Sequence, residues 1–310
     1  MLSANPFLCF NFEANHQSIT FMKKFTLLFL VLLVVISSCK KDDDKVDPKP
    51  SESEIIENNI QAALDSIIEN THVPGLVAGV WAPNEGIDFV YAAGVSNIET
   101  NAPMDANMIF RIGSNTKTFT ITVLLQLVDE GLISLDDPLS DYFPDFPKAD
   151  SVKIEMLTNM RSGIFSYDET DGFWEGLFSN PTKFWTPDEL ILLAKEKPYY
   201  FTPGTDFHYS NIVDMRKYVE ALAGGEFLQP ATQQERLVCH EIYSGYGYGE
   251  GISGYKGFYG HNGEYPGFTS LMINSPERKC TIIIWYNCEL DSANPLVLSK
   301  LIPELIYHDF

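Results

Sequence analysis

The stretch "RIGSNTKTFT", residues 111–120, carries a serine at Ser114 and a lysine three positions later at Lys117. The residues that follow predict a helix over 116–130 that ends at Gly131, with apolar side chains around most of its circumference. We expect such a helix to be buried, with Ser114 at its amino-terminal end. Two interpretations are open at this point: a nucleophile with its base, or a polar helix start with a solvated lysine.

The chemistry of a serine–lysine pair depends on that helical context. A spacing of three places both side chains on one helix face, and a buried lysine with a lowered pKa can take the hydroxyl proton of a serine. The helix terminus adds free N–H groups where an oxyanion would form. The S-x-x-K pattern alone is weak, since it recurs at Ser37/Lys40, Ser38/Lys41 and Ser253/Lys256. Only the match at Ser114 opens a predicted helix.

The order of predicted elements defines the fold class. Apolar spacing predicts helices over 51–70, from 186 onward, over 214–222 and over 295–307, and strands over 76–81, 87–91, 267–274 and 280–285. Pro303 is expected to kink or interrupt the last helix. The chain is therefore expected to be α+β, with an antiparallel sheet built from its N- and C-terminal segments and flanked by helices. A mostly helical lobe over about 105–225 is inserted between the segments.

Two later motifs occur in order behind Ser114: Y-S-N over 209–211 and H-N-G over 261–263, the latter followed by Glu264 and a Pro-Gly-Phe turn. Together the three motifs resemble those of the serine β-lactamase and penicillin-binding DD-peptidase superfamily, and more closely its class C branch. The segments "LVDEGLISLDDPLSDYFPDFP", "LTNMRSGI" and "GHNGEYPGFTSLMIN" extend the resemblance over most of residues 55–310. The resemblance implies that 55–310 form one serine hydrolase domain of the β-lactamase/transpeptidase fold.

The resemblance also implies catalytic roles. Ser114 would be the acyl-accepting nucleophile, and Lys117 and Tyr209 would share the proton transfers, with either as base. Asn211 would hold the Lys117 side chain and the substrate amide. Taken alone, Tyr209 would more simply be a packed aromatic residue beside a loop.

The strand motif would line the substrate site. His261 stands where many relatives have lysine, near the Tyr209 hydroxyl and the substrate carboxylate, and it carries a positive charge less reliably than lysine at neutral pH. Asn262 and Gly263 would border the substrate beside it. The backbone N–H groups of Ser114 and Glu264 would form the oxyanion hole. Without the other motifs, His261 would be interpreted as a satisfied strand histidine.

The activity implied by the resemblance is that of a serine hydrolase acting through an acyl-enzyme on D-amino-acid peptides, β-lactams or esters. One departure bears on it: after Asn211 the chain passes directly into "DMRKYVEAL", residues 214–222, which resembles a later helix of the family. The resemblance therefore implies that a block on the order of 100 residues, too long for an ordinary loop, is missing from the lobe. Either the lobe is naturally shortened, or the gene carries a lesion or the sequence an assembly fault. The alternative function is an impaired homologue that only binds peptidoglycan-like or penicillin-like ligands.

The N-terminal segment indicates export. Residues 1–38 are expected to be a leader and signal peptide, and the true start of translation is expected at Met22. The sequence "ISSC" at 36–39 resembles a lipobox, which implies cleavage before Cys39 and lipidation of that residue. Residues 39–54 then form a flexible tether. The expected location is the bacterial cell envelope, periplasmic or surface-exposed, with contact to the membrane through the lipid anchor. A plain signal anchor is the alternative interpretation.

Composition limits the partners. The formal net charge of −21 argues against nucleic acid, which needs a basic surface. Cys239, Cys280 and Cys288 have no C-x-x-C spacing, and the histidines form no ligand motif, so neither a disulfide, a metal site nor a cofactor is expected. The expected partner is a small-molecule or peptide substrate, and the expected state is a monomer.

Overall fold

The two ends of the described chain pair in one antiparallel sheet. The computed structural model describes residues 49–180, 182–183, 185–208, 222–225, 227–243, 246–289 and 295–310. The strands are β1 (Gly75–Ala82), β2 (Ile87–Asn97), β3 (Ala102–Pro103), β4 (His240–Tyr243), β5 (Tyr246–Tyr248), β6 (Ser253–Tyr255), β7 (Phe258–Tyr265), β8 (Phe268–Ser275) and β9 (Cys280–Tyr286). Their order is β3-β2-β1-β9-β8-β7-β6-β5-β4, so the sheet predicted from both chain ends is confirmed.

The helices flank this sheet. They are α1 (Glu52–Asn70), α2 (Thr116–Asp129), α3 (Ile154–Thr158), α4 (Phe173–Ser179), α5 (Pro187–Lys195), α6 (Pro230–Arg236) and α7 (Leu298–Ile306). The predicted starts of α1 and α5 are confirmed, because Ser51 and Thr186 each form a capping box with the glutamate three residues later.

The core lies between one face of the sheet and helices α1 and α7. Ile60 of α1 and Ile302 of α7 are fully buried with the β1 residues Leu76, Ala78 and Val80. Helix α7 runs through Pro303, so the predicted interruption is wrong. Burial of the apolar face of α7 in this core outweighs the cost of a proline in a helix interior, about 3 kcal/mol.

Helix α2 differs from its prediction in which side chains it buries. Val123, expected inside, is 57% exposed, whereas Lys117, Thr118 and Thr122 are buried. The threonines tolerate burial because Thr118 Oγ1 donates to the carbonyl oxygen of Asn115 at 2.6 Å and Thr122 Oγ1 to that of Thr118 at 2.7 Å. The expected all-round apolar burial is therefore wrong, and the buried face of α2 is partly polar.

The inserted segment carries α3, α4 and α5, as expected of a helical lobe. The predicted helix over 214–222 lies outside the described residues except for its last residue, and so does the junction after Asn211. The signal segment and Cys39 are outside them too. Within the described ranges, no helix has the length and apolar character needed to cross a membrane. Cys239, Cys280 and Cys288 are free thiols.

Candidate active site

Ser114 lies in a tight turn that packs directly on strand β7. The turn, Gly113–Asn115, is a single 3-10 turn that leads into α2, and Ser114 is 3% exposed. Gly113 has a φ of 51°, and a Cβ there would lie 2.3 Å from the carbonyl oxygen and 2.5 Å from the amide nitrogen of Glu264. Only glycine permits this approach. The turn and the Glu264 backbone, predicted to form the oxyanion hole together, are thus adjacent.

Two buried polar side chains fasten the turn to strand β8. Asn115 Nδ2 donates to the carbonyl oxygen of Ile112 at 3.0 Å and to Ser270 Oγ at 2.8 Å, and Ser270 Oγ donates to the Ile112 carbonyl oxygen at 2.8 Å. Ser270 is fully buried. Sequence reasoning missed both residues, because the contacts of Ser270 with Asn115 and Ile112 join segments that are far apart in the chain. Gly263 completes the contact, since a Cβ there would lie 1.9 Å from the Ile112 carbonyl oxygen.

Lys117 is buried, and burial favours the uncharged form of its amine. Its side chain is 5% exposed. Burial holds the pKa of Lys117 well below the usual 10.5, and the Asp168 carboxylate partly opposes this shift. The neutral amine is therefore accessible at lower pH than for a surface lysine. The solvated-lysine interpretation does not describe this side chain.

Asp168 is held by a hydrogen-bonded turn that the sequence did not reveal. Ser166 Oγ donates to Asp168, and the Ser166 amide donates to Tyr200 Oη at 3.0 Å. Tyr200 Oη donates to Glu169 Oε2 at 2.7 Å, and His208 Nε2 lies 3.0 Å from Glu169 Oε1. The carboxylate that acts on Lys117 is thereby fixed in place. His208, which precedes Tyr209 in the chain, belongs to the same network.

His261 is buried and neutral. Its side chain is 1% exposed, its Nδ1 contacts the carbonyl oxygen of Asn262, and its Nε2 lies 3.2 Å from Tyr248 Oη. Burial, with a further contribution from Lys117, lowers the pKa of His261 to about 3. The positive charge that lysine would supply in relatives is therefore absent at this position.

The other motif residues divide between described and undescribed parts of the chain. Asn262 is half-buried and Glu264 exposed on β7, beside the Ser114 turn. Tyr209 and Asn211 lie outside the described residues. Within the described ranges, no group of acidic, histidine or cysteine side chains is arranged to hold a metal ion.

A buried carboxyl group lies near this site without having been predicted. Glu250 is 6% exposed; Thr158 Oγ1 contacts its Oε2, and Asn159 Nδ2 lies 3.4 Å from its Oε1. Burial raises the pKa of Glu250 to about 7. The next residue, Gly251, packs on Ile121 of α2, so Glu250 borders the helix that begins with the site.

The fold, with Ser114 and Lys117 at the start of α2 beside strand β7, is that of the serine hydrolases of the β-lactamase and DD-peptidase type. Residues 56–235 match the sequence profile of the Beta-lactamase family, and the chain belongs to that family.

Individual proteins show the same relationship. The chain is 32% identical over 110 residues to a β-lactamase of Lysobacter lactamgenus, covering 36% of this chain and 28% of that protein. It is 28% identical over 192 residues to the putative penicillin-binding protein PbpX of Bacillus subtilis (strain 168), covering 60% and 44%. The chain thus spans less than half the length of these curated relatives.

Solved structures share the fold. D-amino acid amidase from Ochrobactrum anthropi SV3, complexed with D-phenylalanine, superposes with a TM-score of 0.71 at 18% identity, covering 83% of this chain and all of that one. A D-stereospecific amidohydrolase from Streptomyces sp. gives a TM-score of 0.66 at 22% identity, covering 74% and 94%.

Proposed function

We propose that this chain is a serine hydrolase that forms an acyl-enzyme at Ser114 with D-amino-acid peptides, amides, β-lactams or esters. The observation that carries the proposal is the buried Lys117, whose pKa is lowered by burial, one helical turn after Ser114, whose 3-10 turn lies against the Glu264 backbone at Gly113. The Beta-lactamase family match, with a β-lactamase and a D-amino acid amidase among the similar proteins, supports the substrate class.

The reaction follows from these groups. The neutral Lys117 amine takes the Ser114 hydroxyl proton as Oγ attacks the substrate carbonyl carbon. The carbonyl oxygen becomes an oxyanion that accepts hydrogen bonds from the Ser114 and Glu264 amides. Collapse of the tetrahedral species breaks the bond to the leaving group, which receives the proton from Lys117. Water then attacks the acyl carbonyl carbon and gives one proton to the Lys117 amine. The bond to Ser114 Oγ breaks, Oγ takes that proton from Lys117, and the acyl group leaves as a carboxylic acid.

Tyr209 and Asn211 complete the proposed site by resemblance. Tyr209 would share the proton transfers, and Asn211 would hold the Lys117 side chain and the substrate amide. His261, Asn262 and Gly263 would form the strand along which the substrate lies.

Covalent labelling tests the proposal. A fluorophosphonate and a fluorescent penicillin should label the wild-type chain, and Ser114→Ala should abolish labelling. Ser179→Ala, which alters an exposed serine, should leave labelling unchanged. Lys117→Ala should slow labelling at least about a hundredfold, the usual contribution of a general base. The matched control is Lys153→Ala, which removes an exposed lysine paired with Asp136.

The outcomes separate the two candidate functions. Unchanged labelling in Lys117→Ala would remove this lysine from the mechanism. A well-folded wild-type chain that neither probe labels, but that binds penicillin reversibly, would instead support the impaired homologue that only binds ligands.

We also propose that the chain is anchored in the bacterial envelope through lipid on Cys39, which lies outside the described residues. The support is the sequence "ISSC" after an apolar segment. Cells fed an alkyne-bearing fatty acid should incorporate it into the wild-type chain but not into Cys39→Ser. Equal incorporation in both would refute the anchor.

A further inference from the structure

Glu250 lies in the tight connection between strands β5 and β6, which packs on two helices. A Cβ at Gly249 would lie 2.7 Å from the carbonyl oxygen of Arg236, so this part of the turn lies directly on α6. A Cβ at Gly251 would lie 2.4 Å from Ile121 Cδ1, so the turn also lies on α2. The glycines on both sides of Glu250 permit these close approaches and fix its position in the fold.

The same turn contacts segment 158–161, at the end of α3. The Gly251 amide donates to the Thr158 carbonyl oxygen at 3.0 Å, and the Glu250 carboxyl contacts Thr158 Oγ1. Thr158 Oγ1 also lies 2.8 Å from the Glu155 carbonyl oxygen. A hydroxyl has one hydrogen, so both contacts of Thr158 are satisfied only when Glu250 is protonated and donates to it.

Segment 158–161 also supports the chain that leads to Tyr209. The Met160 carbonyl oxygen accepts a hydrogen bond from the amide of His208 at 3.0 Å. The next carbonyl oxygen along the segment accepts one from the amide of Gly204 at 2.8 Å. His208 directly precedes Tyr209, to which the proposed mechanism gives a share of the proton transfers. A shift of this segment would therefore move the backbone next to Tyr209.

The segment has a strained backbone. Met160 has a φ of 62°, in the left-handed region that residues other than glycine rarely adopt, and it lies in one buried apolar cluster with Ile121 of α2. Such a conformation persists only where its surroundings fix it. When Glu250 loses its proton it can no longer donate to Thr158, and one of the contacts that fix the segment is lost.

The helices around Glu250 carry charges of both signs: Glu155 on α3, Glu235 and Arg236 on α6, and Lys117 on α2. Burial raises the pKa of Glu250 to about 7, and the two carboxylates add to the effect of burial. Arg236 donates to a backbone carbonyl oxygen of α2 at 3.0 Å, and burial favours the uncharged form of Lys117. The Glu250 carboxyl therefore keeps its proton at acid pH and loses it as the pH rises through about 7.

We propose that Glu250 is a positioning residue for the reaction at Ser114: its protonated carboxyl holds segment 158–161 against the sheet, and the segment holds the residues before Tyr209. The inference rests on the proposed function, and Glu250 acts only through this segment. When the carboxyl ionises, the segment relaxes and acylation of Ser114 slows. Reactivity therefore falls on the alkaline side of neutral pH.

The pH dependence of fluorophosphonate labelling tests this role. Glu250→Gln keeps the shape and an N–H donor at every pH, so its labelling rate should not fall above neutral pH. The ratio of its rate to that of wild type should be near one at pH 6 and roughly ten to a hundred at pH 9, since a displacement of about 1 Å can cost about a hundredfold in rate. Glu175→Gln, which alters an exposed glutamate, should follow the wild-type profile. A wild-type profile without this fall, or a fall that Glu250→Gln shares, would overturn the proposal.

Hydrogen–deuterium exchange tests the contact without any activity. The protection factor is the exchange rate of the unstructured chain divided by the observed rate at the same pH. For the peptide 200–208 it should fall at least about tenfold between pH 6 and pH 9 in wild type and stay constant in Glu250→Gln. The peptide 139–146, whose Leu139 amide donates to the Val152 carbonyl oxygen at 2.7 Å, should stay protected in both, which separates local release from general unfolding. Constant protection of 200–208 in wild type would contradict the positioning role.

Failure of this inference differs from failure of the proposed function. If the fluorophosphonate labels wild type and Glu250→Gln with the same pH profile, the hydrolase stands and Glu250 has no positioning role. A folded chain that is not labelled at any pH would refute the hydrolase and with it the role of Glu250 in the reaction. Exchange in the peptide 200–208 would still decide whether the carboxyl holds the segment.

Discussion

Replacing Glu250 by glutamine should change how stability depends on pH. Thr158 Oγ1 approaches both the Glu155 carbonyl oxygen, at 2.8 Å, and Glu250 Oε2. A hydroxyl has one hydrogen, so both contacts are satisfied only when Glu250 is protonated and donates to Thr158. Glutamine keeps the shape and supplies an N–H donor at the same place.

The magnitude follows from the two protonation equilibria. Burial raises the pKa of Glu250 from 4.5 to about 7, helped by the charges of Glu155 and Glu235 and opposed by the polar contacts with Thr158 and Asn159. Between these values the folded state binds more protons than the unfolded chain, so the free energy of unfolding falls as pH rises from about 4.5 to about 7. At 1.4 kcal/mol for each tenfold change in proton affinity, the loss reaches about 3 kcal/mol.

Urea unfolding at several pH values between 5 and 8 measures this effect. Relative to wild type, the free energy of unfolding of Glu250→Gln should rise by up to about 3 kcal/mol between pH 5 and pH 8. Glu175→Gln, which alters an exposed glutamate that does not act on Glu250, serves as the matched control and should give a curve nearly parallel to wild type. If the curve for Glu250→Gln were also parallel to that of wild type, the claim that folded Glu250 is protonated and donates to Thr158 would be wrong.

Three further substitutions test the site. Asp168→Asn should lower the pKa of Lys117 further and shift the acid limb of fluorophosphonate labelling to lower pH; an unmoved limb would show that the carboxylate does not act on the lysine. Gly113→Ala should abolish labelling, because its Cβ would lie 2.3 Å from the Glu264 carbonyl oxygen. The control is Gly131→Ala, at a φ of 69° with open space around it, which should lower the free energy of unfolding by only about 1–2 kcal/mol. Ser270→Ala should cost about 1–3 kcal/mol and slow labelling; unchanged unfolding and labelling would contradict its anchoring role.

The elements that sequence predicted best are those with local signals. The β1–β2 hairpin, the starts of α1 and α5 and the Ser114–Lys117 spacing each depend on residues a few positions apart. Strands β4 to β6 were not predicted, because the glycine- and tyrosine-rich segment shows no alternation of apolar and polar residues. Their pairing, such as His240 with Tyr248, depends instead on the neighbouring strands.

Neighbouring residues in the sequence could not predict the charge state of a buried side chain or the polar contacts that hold the Ser114 turn. Neutral His261 results from burial among β5, β7 and α2, and no spacing in the sequence reports that burial. The bond from Asn115 to Ser270 joins residues 155 positions apart. The motif "GSNTK" displayed Asn115 plainly, yet only the packing on β8 gives this asparagine a role.

The strand order has a consequence for the timing of activity. Strand β7, against which the Ser114 turn packs, is linked to the N-terminal hairpin through β8 and β9, and all three strands follow Ser114 far behind it in the chain. A growing polypeptide on the ribosome therefore contains Ser114 and Lys117 long before it contains the strands on which the Ser114 turn packs. Pairing of such distant segments is slow compared with helix formation. We therefore expect a nascent chain that lacks β7 to β9 to be unreactive at Ser114, and reactivity to arise only after these strands have paired.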